Sequence, residues 1–147
     1  MNIELRRLKA NHLYTEGQLI INDLKTVPYT VEHTFTMLPI GQYLIRLTKD
    51  KKRRRVLGIY SGTPHKGGDG GGLLAYFEAG HSFLSAKDHR SIIIGELLIP
   101  GSVKKGREHY DRLFDRIEKC EQRDEPITLT ISDNQCEESQ PIAHWLR

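Results

Sequence analysis

Tyr43-Leu44-Ile45-Arg46-Leu47-Thr48, then Lys49-Asp50-Lys51-Lys52-Arg53-Arg54-Arg55, then Val56-Leu57-Gly58-Ile59-Tyr60 follow one another without interruption. In the first run Tyr43, Ile45 and Leu47 share one face by the two-residue period, with Leu44, Arg46 and Thr48 on the other. The charged run then turns the chain into a second apolar, strand-like run, so the three together predict an antiparallel hairpin. Pro39-Ile40-Gly41-Gln42 reads as the turn ahead of it.

Outward from the hairpin, most of the chain reads as strands. Ile3 to Leu8 carries bulky residues at 3, 5 and 8, and Gly17 to Asp23 ends in a turn signal. Pro28-Tyr29-Thr30-Val31-Glu32 is β-branched and extended. Downstream come Leu73 to Phe77, a short run from Ser91 to Ile94, a break at Pro100-Gly101, and Ile127-Thr128-Leu129-Thr130-Ile131 with strict alternation. One segment is helical, Arg107 to about Gln122. Tyr110, Leu113, Phe114, Ile117 and Cys120 follow the spacing of a buried stripe there. Arg112, Asp115, Arg116, Glu118 and Lys119 suit solvent, and Asp115 has Lys119 four residues on.

Alternating strands with one amphipathic helix predict a mainly β domain, a small sandwich or barrel-like sheet with the helix packed on it. It spans residues 1–132, and 133–147 form a polar tail with Glu137 and Glu138. That tail ends His144-Trp145-Leu146-Arg147, an apolar cluster that either docks back on the domain or engages a partner. At 147 residues one core is well supported and two are not.

No stretch approaches the roughly 18 consecutive apolar residues of a membrane span, and Met1 to Arg7 lacks the layout of a secretory signal. The expected location is therefore the cytoplasm, with release by phage lysis open to a phage product. Cys120 and Cys136 do not make a disulfide framework, and Cys120 falls on the buried helix face. No histidine, including His33 and His65, has metal-ligand spacing, so neither a metal nor another cofactor is expected.

Charge is unevenly spread. Residues 1–55 hold 11 Lys/Arg against 5 Asp/Glu, whereas 56–147 hold 11 against 14. The excess sits in Lys51, Lys52, Arg53, Arg54 and Arg55. Such a run suits a phosphate-bearing or other anionic polymer. It equally suits a solvated turn that keeps a sheet edge soluble, since no aromatic residue interleaves it. Residues 61–72 hold six glycines but no G-x-x-x-x-G-K-[ST], which excludes a P-loop and reads as a loop beside a site.

The segment from Ala79-Gly80-His81 to Asp88-His89-Arg90-Ser91-Ile92-Ile93-Ile94-Gly95-Glu96 places two histidines ahead of an apolar run. This is the layout of a loop delivering side chains at a sheet edge. Ser91 and His89, two residues apart, share a face if the chain is extended there.

With Gly17 to Ile21, Tyr29 to Glu32, Pro39 to Leu47, Glu78-Ala79-Gly80, Ser91 to Glu96, the helix around Tyr110 and Leu113, and Pro126 to Ile131, the chain resembles a family of small uncharacterised domains. These occur in Bacteroidetes, their phages and mobile elements, and are similar to the L,D-transpeptidase catalytic domain. The resemblance covers residues 3–132 and implies that domain's fold. In L,D-transpeptidases a Ser/Thr-His-Gly-Cys motif supplies a thiolate nucleophile, a histidine accepts its proton and backbone amides hold the oxyanion; the implied substrate is the peptidoglycan stem peptide. Carried onto this chain, His89 keeps the histidine, Arg90 replaces the glycine, Ser91 replaces the cysteine and Glu78 stands at an upstream histidine position. His81 and Asp88 flank the same cleft. A serine needs a placed base and an oxyanion hole, and the upstream histidine is gone. The first expectation is therefore a non-catalytic domain binding a peptide, glycan or protein in a degenerate cleft. The rivals are a peptidoglycan-directed enzyme using Ser91, His89 and Glu78, and a nucleic-acid accessory protein of a mobile element using Lys51 to Arg55.

Overall fold

The structure, a computed structural model, describes residues 1–21, 27–62, 72–85 and 90–133. Strands β1 (Asn2–Ala10), β2 (Tyr14–Ile21), β3 (Tyr29–His33), β4 (Gly41–Lys49), β5 (Arg55–Ser61), β6 (Leu73–Ala79), β7 (Ile92–Ile99) and β8 (Ser102–Lys104) precede helix α1 (Gly106–Gln122), and β9 (Thr128–Asp133) follows it. The chain is mainly β with one packed helix. The strand order is β3-β2-β1-β9-β4-β5-β6-β7-β8, and a further pairing of β3 with β7 closes the sheet on itself. Of the two sheet forms expected, the barrel-like one is therefore adopted. Closure removes the open edges that β3 and β7 would otherwise present. Pairing is antiparallel except for β1 with β9 and β6 with β7.

The hairpin that decides the fold class forms with seven rungs, from Tyr43 opposite Ser61 to Lys49 opposite Arg55. Its turn is held by Asp50. One carboxylate oxygen accepts from the Lys52 and Arg54 amides, both at 2.9 Å, and the other from the Arg54 guanidinium at 3.0 Å. Arg53 takes the left-handed conformation (φ 64°) that tightens the turn.

Several element boundaries differ from expectation. β2 starts at Tyr14 rather than Gly17, because Asn11 Oδ1 accepts from the Leu13 and Tyr14 amides and makes a short β1–β2 connection. Gly41 and Gln42 belong to β4, opposite Ile131 and Thr130, so only Pro39 and Ile40 of the expected turn lie outside a strand. Pro100-Gly101 is a hairpin turn rather than a break: β7 runs on to Ile99 and returns as β8, which the sequence reading did not contain. Gly101 has φ 82°, and its amide donates to the buried Glu16 carboxylate at 2.9 Å. Asp111 pairs with Arg107, four residues before it, in an exposed contact at 3.5 Å that adds little.

One core fills the closed sheet. Inward residues such as Leu5, Leu19, Ile45, Leu57, Phe77, Ile92 and Leu129 pack with Tyr110, Leu113, Ile117 and Cys120 of α1. Cys120 is buried, as its helical position predicts. A smaller cluster of Val31, Ile93 and Val103 lies under the β7–β8 hairpin.

Helix α1 seals a place where one strand outruns its neighbour. The β4–β9 rungs end at Leu44 opposite Thr128, and the Leu47 amide beyond them donates to Glu121 at 2.6 Å. The Leu57 amide donates to the Tyr110 hydroxyl at 3.3 Å. The first gives a partner to a main-chain donor beyond the end of its ladder, and the second reinforces a residue already in a rung with Phe77 of β6. The helix reaches this position because its first residue is glycine: a Cβ on Gly106 would lie 2.7 Å from the Gly80 carbonyl oxygen and 3.0 Å from that of Ile94.

A buried ion pair ties β1 to β3. Arg7 donates from two nitrogens to both oxygens of Glu32, at 3.0 and 2.9 Å, and to the Leu38 carbonyl at 2.6 Å. Among the described residues no helix is long and apolar enough to cross a membrane.

Candidate ligand cleft

The ladder between β5 and β6 is shorter than the one between β4 and β5. Rungs join Leu57 to Phe77, Gly58 to Tyr76 and Ile59 to Ala75, and the register then predicts Val56 opposite Glu78 and Arg55 opposite Ala79. Those two rungs are not made. Arg55 and Val56 pair only with Lys49 and Thr48 of β4, and Glu78 and Ala79 only with Ile93 and Ile94 of β7. Between the diverging strands lies a cleft of about 880 Å3, bordered by the hairpin turn, the end of β6 and the first turn of α1.

The lining is strongly cationic. The turn contributes Lys51, Lys52, Arg54 and Arg55, and α1 contributes Arg107, against Asp50 and Glu78. Asp50 is already engaged within the turn, where the Arg54 backbone amide leads the contacts that hold its carboxyl below the usual 3.8. Arg55 is braced by Glu118 at 2.6 Å and lies over the Phe114 ring at 5.4 Å. Arg107 lies over the Tyr110 ring at 5.3 Å. Lys51 and Lys52 are exposed and make no ion pair among the described residues. Tyr110 closes the inner end of the cleft, and burial raises its hydroxyl above the usual phenol range, so it stays neutral.

The residues singled out in the sequence separate in space. Glu78 lines the cleft, half-buried, beside the turn that carries Lys51 and Lys52. Arg53 is exposed at the tip of the same turn but is not part of the lining. Ser91 is 0% exposed, its Oγ has no hydrogen-bond partner among the described residues, and it is not part of the lining. Arg90 is exposed and close enough to influence the Tyr43 hydroxyl, on which burial is the larger effect. His81 is exposed after β6, where its amide donates to Ser85 Oγ at 2.9 Å and its carbonyl accepts from Val103 at 2.7 Å. Asp88 and His89 lie outside the described residues, as do most of the glycine-rich segment, Cys136 and the rest of the expected tail at 134–147; Asp133, its first residue, ends β9.

The sequence reading missed Arg107, Tyr76 and Tyr110 as cleft residues. Tyr110 carried a signal for burial only, and Arg107 was the first residue of a predicted helix; neither spacing shows which strand gap the helix enters. The buried Arg7–Glu32 pair also went unseen, because a charged residue within a strand reads as outward-facing. Among the described residues no group of three or more His, Cys, Asp or Glu is placed to hold a metal ion.

Compared with protein-family models, curated proteins and solved structures, the chain matches none.

Proposed function

We propose that this protein is a non-catalytic binding domain, a degenerate form of the L,D-transpeptidase scaffold, that holds an anionic ligand in the cleft between β5, β6 and α1. One contrast carries the reading: the cleft gathers five cationic side chains, whereas Ser91 is fully buried away from its lining. A nucleophile must reach substrate and hydrogen-bond to a base. The Ser91 hydroxyl has neither access to solvent nor a partner among the described residues. Five cations line one concavity; Arg54, Arg55 and Arg107 are partly offset by Asp50, Glu118 and Asp111, whereas Lys51 and Lys52 have no ion pair among the described residues, which favours a ligand bearing carboxylates, phosphates or sulfates. Arg55 and Arg107 are preset by Phe114, Glu118 and Tyr110, which lowers the ordering cost of binding.

The test has two arms. Purified protein incubated with muropeptides gives no hydrolysis or transfer product by mass spectrometry. A fluorescein-labelled polyanion binds, weakens as salt rises, and loses about tenfold in affinity in the double variant Lys51→Ser/Lys52→Ser. Turnover that disappears in Ser91→Ala would overturn the reading, as would polyanion binding that ignores both salt and the double substitution.

A further inference from the structure

The missing rungs between β5 and β6 say more about the ligand than its charge. We infer that the cleft takes an extended acidic segment of a partner protein, added as a strand along the open edge of β5 at Arg55. This rests on the proposal that the cleft is an anion-binding site.

The direction of the main chain can be followed from its hydrogen bonds. The Ile45 amide donates to the Ile127 carbonyl, so at Ile45 and Leu47 the backbone of β4 faces β9. Arg46 and Thr48 then face β5, bonded to Gly58 and Val56. The alternate residues of β5 turn the other way: Leu57 donates to Tyr110, and Ser61 donates to the Gly72 carbonyl at 3.1 Å. By the two-residue period the Arg55 amide and carbonyl also face away from β4. They look into the cleft, toward Ala79, across a rung that is not made. A strand edge with a free donor and acceptor is a template for another chain.

A strand bound there has its side chains flanked by Lys51, Lys52, Arg54 and Arg107. Acidic side chains complement that lining, and a polymer without main-chain amides could use the charges but not the edge. The closed sheet has no comparable gap at the β3–β7 seam, where rungs join Tyr29 to Gly95, Thr30 to Ile94 and Val31 to Ile93. The occupant is a partner chain, because the lining joins a main-chain edge at Arg55 to cations that complement acidic side chains.

The experiment compares three probes on the full chain. They are a ten-residue peptide alternating Glu with Val, the same peptide N-methylated at alternate amides, and an oligonucleotide of equal charge. Affinity is read by anisotropy, and amide protection by hydrogen exchange. The unmodified peptide is expected to bind about tenfold more tightly than the N-methylated one, since a methylated amide cannot donate to the Arg55 carbonyl and its methyl group obstructs the strand's approach. It is also expected to slow exchange at Arg55. If the methylated peptide or the oligonucleotide binds as tightly, with no protection at Arg55, strand addition is overturned while the anionic cleft stands. If no probe binds, the anionic cleft itself is refuted, and strand addition with it.

Discussion

Ser91 Oγ and Thr30 Oγ1 are both buried without a hydrogen-bond partner among the described residues. A hydroxyl in that position costs about 1–3 kcal/mol of desolvation that no bond offsets. Ser91→Ala should therefore raise stability by about 1 kcal/mol, a Tm increase of about 2–4 °C for a chain of this size. A clear loss of Tm would show that the hydroxyl makes a bond the protein depends on. Asp50 works the other way. Contacts led by the Arg54 amide hold its carboxyl below 3.8, so the ionised form is favoured in the folded chain. Its contribution is fully present above 3.8 and is lost as pH falls through the lowered folded value. An NMR titration should accordingly show the Lys52 and Arg54 amides moving with a midpoint below 3.8. A midpoint at or above that value would contradict the geometry of the turn.

Helix α1 is the element on which both the core and the cleft depend. Ile117 is 0% exposed within the core cluster, and Ile117→Ala should cost about 2–5 kcal/mol in chemical denaturation. Tyr110→Phe keeps the ring and removes only the 3.3 Å contact from the Leu57 amide, which also stands in a rung with Phe77, at a cost of about 0.5–1.5 kcal/mol. A Tyr110→Phe protein as stable as wild type would mean that the rung alone satisfies Leu57. The existence of this helix and its buried stripe were legible in the sequence, because five residues from Tyr110 to Cys120 keep helical spacing over three turns. Where it docks was not legible. That depends on strands of unequal reach, with Leu47 extending past the end of β9, and single-strand periodicity carries no information about a neighbour's length. β8 was hidden for a related reason: Ser102-Val103-Lys104 is too short to show a period.

At the scale of the molecule, the hairpin from Tyr43 to Tyr60 announced a β domain, but closure through β3 and β7 joins residues more than sixty apart in sequence and left no local mark. The candidate site was legible in part. The basic run stood out by composition, and Glu78 was singled out separately, with Ser91 and His89, whereas their convergence on one cleft with Arg107 depends on the two missing rungs between β5 and β6. Conversely, Ser91 drew notice by its place in a motif, and its burial required knowing that β7 is covered on both faces, by the main core at Ile92 and Ile94 and by the smaller cluster at Ile93.

The most direct measurement of the central claim is a 15N-HSQC titration of the protein with a short acidic peptide. The cleft reading predicts saturable shifts at the Arg55, Leu57, Ala79 and Arg107 amides, weakened about tenfold by Lys51→Ser/Lys52→Ser. Shifts confined to another surface, or cleft shifts of the same affinity in the double variant, would contradict it.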